Sequence, residues 1–177
     1  MWKRNIPFAL ADSIYDIDPS FFVKAGVKVL LLDLDNTLDH NHVSVPGPRT
    51  IEWLKGIRDH GLKVFILSNN SGKRVGTYAN ALGVEYRCFM RKPFAGPLKR
   101  FLAKEGYSKD EVMLIGDQIQ TDILAGNGAG VRCILTEPLQ PDHEPPWTWF
   151  NRLFDKPKRK KIKRLGLAPD WKEVLHE

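Results

Sequence analysis

VKVLLLDLDNTL, residues 27–38, joins a short apolar run directly to a cluster of carboxylates. A bounded run of Val and Leu of this length reads as a strand buried on both faces, here Val27 to Leu32. Ligands of open parallel sheets sit beyond the carboxyl ends of the strands, so Asp33 and Asp35 stand where chemistry would be done. The same pattern recurs further on. Lys63 to Leu67 is followed by Ser68, Asn69 and Asn70, and Val112 to Ile115 by Gly116 and Asp117, with Asp122 five residues beyond. Val131 to Leu135 makes a further candidate strand, and a weaker one lies near Cys88 and Phe89.

Segments of helical period alternate with these runs. Pro48 to His60 puts Ile51, Leu54 and Ile57 on one face and stops at Gly61. Lys73 to Leu82 stops at Gly83, Pro93 is placed to open a helix that ends near Gly106, and Thr121 begins one running toward Gly126, Gly128 and Gly130. This alternation predicts an α/β fold, a three-layer, Rossmann-like parallel sheet.

The 177 residues make one domain's worth of chain, with 42% hydrophobic and 27% charged residues, as in globular proteins. No apolar run approaches the roughly 18 to 20 residues that span a bilayer. The opening MWKRNIPFALADS is too short in its apolar part, and too soon broken by Pro7 and Asp12, for a secretory leader, so a cytoplasmic protein is expected. Cys88 and Cys133 lack metal-ligand spacing and read as buried, reduced thiols. Net charge is +6, yet KPKRKKIKR, residues 156–164, alone carries seven basic residues; without it the chain holds 20 basic against 21 acidic residues. The basicity is local, and implies one surface that meets something anionic.

The residue types behind the strands suit phosphate chemistry. Cleaving a phosphate monoester takes a nucleophile, a cation over the phosphoryl oxygens, further positive groups and an acid for the leaving oxygen. The order DLDNTL, LSNN, RKP and GDQIQTD resembles the four motifs of the haloacid dehalogenase superfamily, over about Val27 to Val131. By that resemblance Asp33 is the nucleophile and Asp35 the general acid and base. Asp at the second position is the pattern of the family's phosphatases. The resemblance also implies Mg2+ held by Asp33, the backbone carbonyl of Asp35 and Asp117, with Asp122 reaching it through water or orienting the others. Ser68, the amide of Asn69 and Lys92 would hold the phosphoryl oxygens. Each residue has a plainer reading when taken singly: a loop start, a helix cap, a solvated lysine. His40 and His42 read as exposed loop histidines.

Only about thirty residues separate Leu38 from Ser68, and about twenty separate Asn70 from Lys92, so neither gap has room for a cap domain. The chain therefore resembles the capless subclass IIIA. The leader FALADSIYDIDPSFF, the GDQIQTDI motif and the WTWFNR segment narrow the resemblance to the YqeG-like group, akin to phosphatidylglycerophosphate phosphatases. That implies removal of the terminal phosphate of phosphatidylglycerophosphate, a substrate presented at a membrane.

Residues 1–140 are read as the phosphatase domain with its leader and 141–177 as an aromatic and basic appendage, in which Pro169 to Leu175 makes a short helix. Within it Trp147, Trp149 and Phe150 suit a headgroup interface. Lys158, Arg159, Lys160, Lys161, Lys163 and Arg164 suit an anionic surface. Other readings stay open at this point: aromatics packed on the body with a solvated basic tail, a phosphatase for nucleotides or nucleic-acid ends, and a non-catalytic protein contacting RNA or ribosomes.

Overall fold

The computed structural model describes residues 2–70, 72–140 and 146–175. Six parallel strands form one sheet in the order β1-β6-β5-β2-β3-β4, with β1 Ala9–Ala11, β2 Val29–Leu32, β3 Lys63–Leu67, β4 Glu85–Arg87, β5 Val112–Gly116 and β6 Arg132–Thr136. Helices α1 Pro19–Lys24, α2 Pro48–Asp59, α3 Gly72–Leu82, α4 Ala95–Glu105, α5 Leu124–Ala129 and α6 Pro146–Arg164 connect and flank them.

Alternation along the strands divides the core into two sheets of packing. Leu30 and Leu32 of β2, Val64 and Ile66 of β3, and Met113 and Ile115 of β5 face Phe22, Trp53, Ile57 and Tyr78. Their neighbours Val29, Leu31, Phe65, Leu67 and Leu114 face Leu98, Phe101, Ile123 and Ile162. Strands covered on both faces need apolar residues at every position, which is why β2 is buried throughout. At about 25 cal/mol per Å2 of apolar surface, each such Leu contributes about 1.5–3 kcal/mol by burial.

Three local expectations shift. The weak strand near Cys88 ends just before it, as β4 at Arg87, and Phe89 is exposed beyond it. Pro93 does not open a helix: α4 begins at Ala95, with Pro97 in its first turn, where a missing N–H has no intrahelical acceptor to lose. Pro169 to Leu175 forms turns rather than a helix, because its backbone pairs with the sheet edge. Leu10 donates its N–H to the Pro169 carbonyl at 2.9 Å and accepts from Trp171 N–H at 2.9 Å. Trp171 also packs edge-on against Phe21, with ring centroids 5.6 Å apart.

The connections that follow β2 and β3 carry α2 and α3 and no inserted domain among the described residues. The carboxyl edge of the sheet is thus left without a protein lid from these segments. No described helix is long and apolar enough to cross a membrane.

Candidate active site

Each motif acquires its position from a strand end. The β2 ladder continues one residue past the strand, where Asp33 donates its N–H to the Ile115 carbonyl at 2.9 Å. The chain then folds over itself: the N–H groups of Leu38 and Asp39 both point to the Leu34 carbonyl, and Asn36 takes a positive φ of 62°. Asn is one of the few residues that adopts this left-handed conformation readily. Ser68 leaves β3 nearly fully buried, and its Oγ accepts from Asn70 N–H at 3.0 Å.

Behind β5, Gly116 is followed by Asp117 and a π-helical turn, Ile119–Ile123, that runs into α5. That wide turn swings the Asp122 side chain back toward the strand end. A Cβ on Gly116 would collide with the Asp122 carboxyl group, so the missing side chain is what lets that carboxylate in. Carboxylate oxygens of Asp33, Asp117 and Asp122 then all lie within 4.8 Å of one another, each residue buried.

Lys92 is the cation among them. Its Nζ donates to Asp33 Oδ1 at 2.5 Å, Asp122 Oδ1 at 2.6 Å and the Leu67 carbonyl at 3.1 Å. Burial works against its charge, but the contacts with Asp122 and Asp33 outweigh that and raise its pKa above the usual lysine range. Asn69 fixes the same residue from behind. Its side chain accepts from Lys92 N–H at 2.8 Å and donates to the Lys92 carbonyl at 2.9 Å. The Asn69 side chain is thereby committed to positioning Lys92.

The carboxylates feel both burial and one another. Burial pushes Asp33 well above the ordinary range, Lys92 pulls it down, and Asp122, Asp117 and Asp35 push it further up. Asp117 is pushed up to about 6 by burial first, against the pull of Arg152. Such a cluster is relieved by positive charge. Hard oxygen donors this close suit a divalent cation of the Mg2+ kind, and nothing softer than oxygen stands in the set.

Asp35 sits apart from the triad, toward solvent. Asn70 Nδ2 donates to its Oδ2 at 2.7 Å, and Arg74 pairs with its Oδ1. Arg74 also donates to the Val43 carbonyl at 2.9 Å, which ties α3 to the loop after β2. Asn70 closes the LSNN motif without an assigned role there, and Arg74 lies outside the four motifs.

The larger difference lies in residues 141–177. Nineteen residues, Pro146–Arg164, form α6, whose inward face reaches the site. Arg152 donates to the Asp117 carbonyl at 2.9 Å and pairs with Asp117 Oδ2. Asp155 accepts from Ile119 N–H at 2.9 Å and Gln120 N–H at 3.1 Å. Arg159 also bonds the Asp117 carbonyl, donates to the Thr136 carbonyl at 2.9 Å and pairs with Glu137 at 3.3 Å. Arg159 therefore departs from its expected place on an anionic surface, because buried carbonyls engage it instead. Lys158 likewise turns inward, donating to Asn5 Oδ1 at 2.7 Å. Lys160, Lys161, Lys163 and Arg164 are exposed, with Lys163 paired to Glu137 at 2.8 Å. Phe150, Leu153 and Phe154 are exposed at the amino half of α6, while the side chains of Trp147 and Trp149 lie outside the described residues. His40 and His42 fall in the loop after β2, outside the triad.

The chain is similar to known proteins along most of its length. Residues 89–138 match the family described as HAD-hydrolase-like. The chain is 33% identical over 171 residues to "Probable phosphatase YqeG" of Bacillus subtilis, covering 97% of this chain and 98% of that one. It is 30% identical over 176 residues to the chloroplastic/mitochondrial phosphatidylglycerophosphate phosphatase 1 of Arabidopsis thaliana, covering 93% of this chain and 50% of the plant protein. An uncharacterized protein of Listeria monocytogenes shares the fold with a TM-score of 0.54 at 18% identity, over 67% of this chain and 85% of that one. Fold, buried acidic cluster and relatives together define a phosphoric monoester hydrolase. The chain belongs to the haloacid dehalogenase superfamily, among its capless YqeG-like phosphatases.

Proposed function

We propose that this enzyme removes the terminal phosphate of phosphatidylglycerophosphate through an aspartyl-phosphate on Asp33. The observation that carries the mechanism is the convergence of Asp33, Asp117, Asp122 and Lys92 at the carboxyl ends of β2, β3 and β5. Asp33, Asp117 and the backbone carbonyl of Asp35 would hold Mg2+, with Asp122 orienting the set. A bound Mg2+ neutralises the phosphoryl oxygens as charge builds on them.

In the first step an oxygen of Asp33 attacks phosphorus, and the bond from phosphorus to the glycerol oxygen breaks. Asp35, at the solvent side, gives its proton to that leaving oxygen. Water enters in its place, and its oxygen attacks the same phosphorus while Asp35 takes up the proton. The bond from phosphorus to Asp33 breaks, inorganic phosphate leaves and both carboxyl groups are restored. Lys92, Ser68 and the backbone N–H of Asn69 hold the non-bridging oxygens throughout.

The lipid substrate is supported by the plant relative's name and by the outer face of α6. Phe150, Leu153, Phe154, Lys160, Lys161 and Arg164 follow at helical spacing, apolar in the amino half and basic in the carboxyl half. Apolar side chains enter the headgroup region, and each basic residue near an anionic leaflet contributes about 1 kcal/mol. Arg152 on the opposite face touches Asp117, so docking by this face would hold Asp117 about one helix diameter, roughly 10 Å, from the surface that carries the substrate. The experiment is a phosphate-release panel: phosphatidylglycerophosphate in mixed micelles, soluble phosphate esters and 5′-phosphorylated oligonucleotides. The lipid should give the highest kcat/KM. A faster oligonucleotide or soluble ester would replace the lipid with that class of substrate.

A further inference from the structure

Asp117 is held from outside the family motifs. Arg152 binds both its carbonyl and its Oδ2, and Arg159 binds the same carbonyl. Asp155 caps the N–H groups of Ile119 and Gln120, two and three residues further along. Positions 152, 155 and 159 fall on one face of α6, and Ile162, fully buried, continues it as an apolar anchor. The segment they hold starts at Gly116, where no side chain restrains the backbone, and ends in a π-helical turn that also carries Asp122. Arg152 engages Oδ2, and Oδ1, which accepts a long hydrogen bond from Thr37 Oγ1 at 3.5 Å, is the oxygen more readily given to a cation.

We infer that α6 is a positioning element of the active site: Arg152 fixes the Asp117 side chain for cation binding, and Asp155 and Arg159 fix the backbone around it. The inference rests on the cation site proposed above and is independent of the lipid substrate. Its sign is testable, because Arg152 exerts two opposed effects on a dication. As a nearby positive charge it disfavours the ion; as an orienting group it spares the cost of ordering a ligand. Positioning predicts that removal of Arg152 weakens cation binding, whereas charge competition alone predicts that removal tightens it.

The test is calorimetric titration of the full chain with Mn2+ in the absence of substrate, with thermal melts to establish folding. Arg152→Ala should raise the Mn2+ dissociation constant about 10- to 100-fold, the range for losing a partner that orients a metal ligand. Arg152→Lys, which keeps the charge and one bond, should fall between. In turnover, the half-saturating Mg2+ concentration should rise in parallel while kcat at saturating Mg2+ stays within a few-fold. Where Arg152→Ala does not fold, Asp155→Asn replaces it and should weaken Mn2+ about tenfold. Unchanged or tighter Mn2+ binding in the folded variant overturns the inference. A wild-type chain that binds no Mn2+ overturns it together with the cation site, an outcome distinguished by the failure of the wild type itself.

Discussion

Asp33 and Gly116 show how little tolerance the site leaves at single positions. Asp33→Asn keeps the shape and replaces a nucleophilic carboxylate by an amide, so turnover should fall by more than the roughly 10²- to 10⁴-fold typical of losing acid-base help alone. Folding should survive, since an amide oxygen can still accept from Lys92. Steady-state assays beside a thermal melt check both, and retention of most activity would remove Asp33 as the attacking group. Gly116→Ala adds one methyl group where the Asp122 carboxyl group already sits. Asp122 is pinned by Lys92 and by Gln118 N–H at 3.2 Å, so it has little room to retreat. The substitution should cost about 1–3 kcal/mol, as overpacking does, and should depress activity even where the protein stays folded. A melt and an activity equal to wild type would show that the turn relaxes freely.

Among the elements, α6 has two faces with different work. Lys160→Glu with Lys161→Glu alters only its exposed face. This double variant should bind anionic vesicles far more weakly at low salt, converge with wild type as salt rises, and hydrolyse a small soluble ester at the wild-type rate. Sedimentation with phosphatidylglycerol vesicles checks it; equal binding at low salt would leave the lipid reading without its electrostatic support. The element was hard to see in the sequence for a physical reason. Pro157 removes one helical donor, and the two prolines at 145 and 146 precede a stretch whose apolar residues turn outward, so the usual inward stripe of apolar residues is absent. The signal that was available is charged: Arg152, Asp155 and Arg159 recur at helical spacing opposite Phe150 and Phe154. β2, β3, β5 and β6 were legible because strands buried on both faces leave continuous apolar runs. β1, Ala9–Ala11, was not, since three residues, all apolar, are too few to carry a periodic signal. Asp33, Asp35, Asp117 and Lys92 were legible because each lies in one of the four motifs; Asn70 shares the β3 end without a role that its position announces, and Arg74, recruited from α3, belongs to no strand end.

Taken as a whole, the molecule is a parallel sheet whose carboxyl edge gathers three buried carboxylates around one lysine. Such a body is stabilised by any cation that enters the cluster. Mg2+ at about one hundred times its dissociation constant should add about 2.7 kcal/mol and raise the melting temperature measurably. Chelator should reverse the shift and abolish turnover, and Ca2+, with its larger and looser oxygen shell, should bind without supporting hydrolysis. Full activity after exhaustive chelation would contradict the cation site. A phosphoryl group carried on Asp33 can be trapped by rapid acid quench of the enzyme turning over substrate labelled in the terminal phosphate. Borohydride reduction and peptide mapping by mass spectrometry then locate the labelled residue. Asp33 should be converted to homoserine in wild type, with none formed at position 33 in Asp33→Asn. Phosphate released in a single turnover with no acyl-phosphate formed, or label on another residue, would contradict the aspartyl-phosphate on Asp33.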